Sequence, residues 1–402
     1  MNKMIRLRAV WWFLLLPLTV LAQGKGGIQF RTEPLSAVFD AARKAKKPVF
    51  IEIYSPTCHI CQSFIPVFAD KRVGTFYNGR FISTKLDIGE KTTQAFLERN
   101  RLFVPSLPLF LYFSAQGDLV HMAMSNNTAE EVIRHGSSAL NPTLRSAAMR
   151  QRYEQGERSA NFLIDYAMYA RVMRDTATNV RLMNEYARQQ SPNTYANQTN
   201  WLALQKLIMD VDNPLFQYLI SHLDQYNKAY GADQVKPVAE NILMSSLYSS
   251  RGNQYPAAKI LTIRNQLQQI GIDSRVASNR TLLPEVNAYF RAGQTGKAVG
   301  RMDAHATQNQ FSTPEYLYVS RLFNRKSPDA SDAPTVVKWV NRALEQTTKP
   351  TDQADLYYEM SEAYRRGGRT ADALKAAQKS LELAKAANLD TRRNTQQIAR
   401  LK

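Results

Sequence analysis

Cysteine is almost absent from this chain: 402 residues contain two, Cys58 and Cys61. That excludes a disulfide framework, which uses more cysteines at wider spacing. Long apolar runs are also missing beyond the N-terminus. A bilayer span takes about 20 consecutive apolar residues, and no later stretch supplies them. Acidic residues are in deficit, with 34 Asp and Glu against 52 Lys and Arg and a formal charge of +18. In a cytosolic protein such a balance would suggest nucleic acid. Here the basic residues are scattered through helical stretches, without an aromatic-interleaved basic motif, so no nucleic-acid partner is expected. A solvated basic surface is expected instead, with attraction to anionic envelope surfaces as the alternative. Histidine is scarce: His121, His135, His222 and His305 stand isolated, and only His59 lies beside the cysteines.

The first residues form an export signal. Lys3, Arg6 and Arg8 precede an apolar stretch over 9–20, and Val20-Leu21-Ala22 before Gln23 fits a small-residue cleavage site. A leader of residues 1–22 implies an exported protein, periplasmic in a cell with two membranes. The alternative is an uncleaved N-terminal membrane anchor. No cysteine follows the apolar region, which excludes a lipid anchor on that residue. Length allows two or three domains, each with its own core.

The chain is organised around Cys58-His59-Ile60-Cys61. The apolar run Val49-Phe50-Ile51-Glu52-Ile53-Tyr54 precedes it, and Gln62-Ser63-Phe64-Ile65-Pro66-Val67-Phe68-Ala69, apolar at helical spacing, follows it. This reads as strand, turn, C-x-x-C and a helix from Cys58 to about Ala69. A thiol at a helix N-terminus meets about half a positive charge from the backbone dipole, which favours the nucleophilic thiolate. In an oxidising compartment a lone close pair is either a small structural loop or a redox dithiol. So short a loop removes little chain entropy, which weakens the structural reading.

Strand and helix signals alternate around this centre. Ile28-Gln29-Phe30 reads as an edge strand, 34–44 as a helix, 81–88 as a strand, and 92–100 as a helix. Strands at 109–113 and 119–124 and a helix over 129–140 complete the set. The alternation predicts an α/β sheet with helices on both faces.

The segment 28–140 resembles the thioredoxin fold, and more than the C-x-x-C carries the likeness. Pro66 lies five residues after Cys61, where thioredoxins bend the active-site helix. Glu52 lies six before Cys58, in place of the family's buried aspartate. Thr84-Lys85-Leu86-Asp87-Ile88 is similar to the central strand whose lysine approaches that acid. Val104-Pro105-Ser106-Leu107-Pro108 is similar to the family's V-x-x-x-P segment, which makes Pro108 the cis-proline facing the cysteines. Lys47-Pro48-Val49 resembles exported relatives at the electron-delivery end of the Dsb system. Three departures touch potential and substrate choice: Thr57 replaces tryptophan, His-Ile replaces Gly-Pro between the cysteines, and Glu52 replaces aspartate.

Cys58, more exposed at the helix start, is expected to attack, and Cys61, a turn deeper, to resolve the mixed disulfide. A buried Glu52 has a raised pKa and can exchange a proton with Cys61; the alternative is a surface acid on an edge. His59 in its charged form would stabilise the Cys58 thiolate and make the disulfide more oxidising; the alternative is an exposed turn residue of small effect. Metal binding by Cys58, Cys61 and His59 falls short of the four ligands that structural zinc takes. No cofactor is expected.

After Asn141-Pro142, read as a helix start, amphipathic helices of about 12 to 17 residues take over. A pattern recurs as Tyr248, Gly252, Ala257, then Tyr289, Gly293, Ala298, then Tyr364, Gly368, Ala373. Such periods mean stacked helix pairs. The copy over 356–383 is similar to a tetratricopeptide repeat, with Tyr357, Met360, Tyr364, Gly368, Ala373, Ala377 and Ser380 at its signature places. Ser361 and Lys385 depart from it. Glycine would let the chain leave the first helix in a left-handed turn, alanine would let two helices approach closely, and tyrosine would fill the gap to the next repeat. The expected architecture is an α/β thioredoxin fold over 28–140, then an all-α tetratricopeptide-like solenoid over 141–402 that is clearest over 242–384.

The expected activity is thiol–disulfide exchange, as reductase or isomerase, on disulfide-containing client proteins. The resemblance implies a membrane thiol shuttle as reductant. The helical array suits a peptide or protein ligand, unless it only packs or self-associates. The rival reading is a binding scaffold whose thioredoxin-like domain docks with little turnover; a metal carrier is a third.

Overall fold

The computed structural model describes residues 26–402, so the expected leader lies outside the described residues. Among these, no helix is long and apolar enough to cross a membrane. The chain divides into two compact units, one ending at Asp175 and one beginning at Thr176.

The first unit is built on a five-stranded mixed sheet in the order β1-β3-β2-β4-β5. The strands are β1 (Phe30–Arg31), β2 (Val49–Tyr54), β3 (Ile82–Asp87), β4 (Leu109–Phe113) and β5 (Leu119–Ala123). β1, β3 and β2 run parallel, while β4 runs antiparallel to β2 and β5 to β4. Val, Ile and Phe suit β2 to the centre, where five of its six residues are buried. The helices are α1 (Leu35–Ala45), α2 (His59–Ser63), α3 (Ile65–Ala69), α4 (Lys71–Arg80), α5 (Lys91–Arg99), α6 (Ala129–Leu140), α7 (Met149–Glu154) and α8 (Ala160–Val172). They cover both faces. On one, Phe39 of α1 and Phe96 of α5 meet the Phe113 ring of β4. On the other, Phe50 of β2 packs on Phe68 of α3, Tyr77 of α4 and Phe110 of β4.

Three local expectations are corrected. The helix expected from Cys58 to Ala69 is two short ones, because Pro66 has no N–H to donate to the Gln62 carbonyl. Helix α4 has no counterpart in the sequence reading, since Gly74 and Gly79 weaken its helical signal. Gly74 is there for closeness: a Cβ on it would lie 2.4 Å from the Gly26 carbonyl oxygen. Pro142 starts no helix. Asn141 caps α6, and its side-chain oxygen accepts from Thr143 N–H at 2.9 Å and Thr143 Oγ1 at 2.8 Å, a turn before the 3₁₀ segment Ser146–Ala148.

The second unit is all helical among its described residues. Its helices are α9 (Thr176–Gln189), α10 (Gln198–Lys206), α11 (Pro214–Ser221), α12 (Leu223–Tyr230), α13 (Ala232–Leu247), α14 (Ala257–Gln269), α15 (Ser274–Arg291), α16 (Thr295–Asn309), α17 (Thr313–Lys326), α18 (Ala333–Glu345), α19 (Pro350–Arg366), α20 (Thr370–Ala386) and α21 (Arg392–Leu401). One apolar core runs through α15 to α20 around the fully buried Trp339. Neighbouring helices are tied by paired charges, as in Glu285 of α15 held by Arg264 of α14 at 3.0 Å and Arg301 of α16 at 2.7 Å.

The recurring glycines divide into two kinds. Gly293 and Gly368 have φ of +67° and +74° and leave α15 and α19 through the expected left-handed turn. Gly252 does not; it sits in a 3₁₀ turn where a Cβ would lie 2.2 Å from the Leu247 carbonyl oxygen, so it serves close approach. Ala298 and Ala373 are fully buried. Tyr248 stays largely exposed, and its OH donates across to the Arg280 carbonyl of α15 at 2.7 Å.

Gly368→Ala forces an L residue into that left-handed turn and is expected to lower stability by about 1 kcal/mol. Gly300→Ala, mid-helix in α16 with nothing within 4 Å of the new Cβ, is expected to raise it by about 0.5–1 kcal/mol. Denaturant titration followed by the buried Trp201 and Trp339 checks both signs, and equal shifts would contradict the assignment.

A candidate dithiol site

The site begins where β2 ends. Past Tyr54 the chain turns through Ser55, Pro56 and Thr57, and this turn is held by its own polar groups. Cys58 N–H donates to the Ser55 carbonyl at 3.1 Å, and Ser55 Oγ accepts from Thr57 N–H at 3.3 Å. Gln62 reaches back from α2 and donates its amide Nε2 to the Pro56 carbonyl at 2.9 Å. This clamp was not legible in the sequence, because it depends on the path of the turn.

Cys58 is the N-cap of α2, and its own sulfur is the capping group: Cys61 N–H donates to Cys58 Sγ at 3.1 Å. The helix has only five residues, so this direct N–H contributes more than a summed dipole would. A negative sulfur accepts such a bond more strongly than a neutral one. Cys58 and Cys61 are joined as a disulfide, with Cα atoms 5.2 Å apart. Cys58 is half-buried, Cys61 is buried, and His59 is exposed. Ile60, between the cysteines in the chain, and Ile65, at the start of α3, are large apolar side chains left 63% and 59% exposed.

Glu52 lies on β2 directly opposite Lys85 of β3 and Phe110 of β4. It shares the sheet face of Phe50, the face covered by α3. The carboxyl is 1% exposed, and Lys85 Nζ lies 2.8 Å from Oε2. Burial raises the Glu52 pKa above its ordinary 4.5, and the neighbouring Lys85 charge works against that rise. Lys85 is itself placed by aromatic rings. Its ammonium sits 4.4 Å from the Phe30 ring centre, 4.6 Å from Phe68 and 5.7 Å from Tyr54. Phe68 belongs to α3, so the acid–lysine pair touches the helical segment that follows the dithiol. The sequence offered Phe30 and Phe68 only as apolar positions and gave no sign of a cage.

The Leu107–Pro108 peptide is cis, and Pro108 is buried. Ile53 pairs with Leu109 across β2 and β4, so Pro108 lies level with Tyr54 at the sheet end from which the dithiol turn departs. Ser106 Oγ donates to Met124 Sδ at 3.0 Å and ties the Pro108 loop to the end of β5.

His121 and His135 are not isolated, contrary to the sequence reading: their rings lie 6.0 Å apart between β5 and α6. His121 Nδ1 accepts from Ser146 N–H at 3.0 Å. Burial, then His135 and Arg134, pushes its pKa down to about 3. His121 binds the 3₁₀ segment to β5 through Ser146. No group of three or more His, Cys, Asp or Glu among the described residues is placed to hold a metal ion. No known protein family matches the sequence, and no curated protein matches it.

Because the folded chain holds the Glu52 proton more tightly than the unfolded chain does, ionising it costs stability as pH rises above the ordinary carboxyl value. Glu52→Gln is therefore expected to gain on the wild type with rising pH, by at most about 1.4 kcal/mol per pH unit while the one proton is lost. Guanidinium midpoints across that range measure the difference. A wild type that gains with pH would show that Lys85 outweighs burial.

Proposed function

We propose that the chain is an exported thiol–disulfide oxidoreductase with a thioredoxin-like sheet domain, acting as a reductase or isomerase. Its tetratricopeptide-like helix pairs hold the protein client. One observation carries the reading: an accessible sulfur capped by the N–H of the residue that bears its partner sulfur, which is buried behind it. A merely structural loop has no use for that asymmetry.

In the reduced state the Cys58 thiolate attacks one sulfur of a client disulfide. A Cys58–client bond forms, and the second client sulfur leaves as a thiolate and takes up a proton. Cys61 then loses its proton, with Glu52 as acceptor, and attacks Cys58 Sγ. The client leaves with both sulfurs reduced, two electrons have passed to it, and the Cys58–Cys61 disulfide remains. An external dithiol, a membrane thiol shuttle, returns the two electrons. Burial supports the role of Glu52, since a raised pKa lets the carboxyl gain and lose a proton nearer neutrality. Lys85 fixes that carboxyl through the 2.8 Å contact. Pro108 shapes the backbone at the same sheet end, and the exposed Ile60 and Ile65 give an unfolded client apolar contact. His59, exposed at the first position of α2, tunes the potential toward oxidation when charged.

Insulin reduction with dithiothreitol is expected to vanish in Cys58→Ser. Cys61→Ser, expressed with the leader intact, is expected to accumulate client adducts on Cys58 that dithiothreitol releases. Wild-type protein without insulin activity and Cys61→Ser without adducts would favour the docking scaffold.

A further inference from the structure

On the sheet face opposite α3, a cavity of about 540 Å³ opens between α1 and α5. Its floor is aromatic. Phe39 of α1 and Phe96 of α5 rest against the Phe113 ring, with centres 5.8 and 5.6 Å away, and both stay half-buried. Leu35 and Ala95 extend the apolar strip. The lining runs from Leu35 to Arg43 on α1 and from Thr92 to Asn100 on α5. At the helical rise of about 1.5 Å per residue, the groove is about 12 Å long. None of the lining residues is acidic.

The two ends of the groove differ in charge. Each helix follows a strand of the parallel set and runs back along the sheet, so both end where β2 begins and β4 stops, with Val49 opposite Phe113. Arg43 and Arg99 stand in the last turns of α1 and α5, and Gln116 lies in the turn that follows β4. An arginine in a last turn commonly serves the helix's own terminal carbonyls. Here those carbonyls are taken. Ala42 and Arg43 oxygens accept from Lys47 and Lys46 N–H at 3.1 and 3.2 Å, and Phe96 and Leu97 oxygens accept from Asn100 Nδ2 and Leu102 N–H, both at 2.8 Å. Arg43 pairs with Asp40, which leaves part of its fork over. The Arg99 guanidinium and the Gln116 amide make no hydrogen bond or ion pair among the described residues. A whole guanidinium, part of a second and an amide therefore stand at one end of an apolar strip.

We propose that this groove binds a medium-chain fatty acid, with Arg99 and Arg43 pairing its carboxylate, the Gln116 amide donating to the head group, and the alkyl chain lying over Phe96, Phe39 and Leu35. Charge complementarity selects the anion. A strip of about 12 Å selects an extended chain over a compact ring. The groove shares the sheet with the dithiol but none of its residues, so the assignment stands apart from the redox reading.

The test is isothermal titration calorimetry of the intact protein with decanoate, kept below its micelle-forming concentration, and with decanol and hexanoate as companions. Decanoate is expected to bind saturably at a single site. Decanol, which lacks the charge, is expected to bind about tenfold or more weaker. Hexanoate, which lacks much of the chain, is expected to lose about tenfold or more as well. Arg99→Gln removes no internal contact and is expected to weaken decanoate about tenfold. Ala95→Glu places a carboxylate on the exposed helix surface beside the strip and is expected to abolish binding. Both variants are expected to keep the wild-type melting midpoint. Equal binding of decanoate and decanol, no saturation by decanoate, or unchanged affinity in both variants would overturn the proposal. So would a dimer in sedimentation that Ala95→Glu dissociates, because a second copy of the chain would then cover the groove.

Discussion

Strand β2 is covered on both faces, and the environment of Glu52 follows from that burial. A run of Val, Phe, Ile and Tyr gains from being buried, but Glu52 within it does not. A carboxyl in such a position must be neutral or paired. Lys85 on the adjacent parallel strand meets it, and Phe30, Phe68 and Tyr54 hold the ammonium in place. The end of the same strand delivers the chain to Cys58. The acid therefore lies on the strand whose end leads into the dithiol turn, with the cis-proline level with that end on the neighbouring strand.

The two sulfurs differ because of one turn of backbone. Cys58 occupies the cap, where an extended residue exposes its side chain, and Cys61 lies within the helix and faces the core. Pro66 ends the helix early and keeps α2 short. The turn before Cys58 is tied by Ser55, Thr57 and Gln62, so the sulfur that faces solvent is presented by ordered backbone. In the helical unit Pro284 leaves the Arg280 carbonyl of α15 without its intrahelical donor, and Tyr248, just past the end of α13, donates to it.

Much of this arrangement was legible because it is local. Strand β2, β4 and helix α6 announce themselves by continuous or periodic apolar residues, and the C-x-x-C with its flanking strand is a short-range pattern. The two left-handed glycines, Gly293 and Gly368, were readable from their place after a helix. The illegible parts depend on what comes near in space. Helix α4 carries two glycines against its propensity, and Gly74 is explained only by the chain at 26–27 lying against it. Gly252 shares its pattern with Gly293 and Gly368 but meets the Leu247 carbonyl instead of a left-handed turn. His121 and His135 are adjacent only because β5 and α6 pack together. Gln62, Phe30 and Phe68 had ordinary sequence signals, and their part in the site appears only with the folded path of the chain.

The proposed chemistry needs Cys58 to be an acidic thiol, and the Cys61 N–H that donates to its sulfur is the group that would make it so. Cys61→Ser leaves that N–H in place and makes Cys58 the only thiol in the chain, so its ionisation can be followed by the ultraviolet absorbance of the thiolate. The expected midpoint lies well below that of an unperturbed cysteine, about 8.5. A midpoint at or above that value would contradict the account.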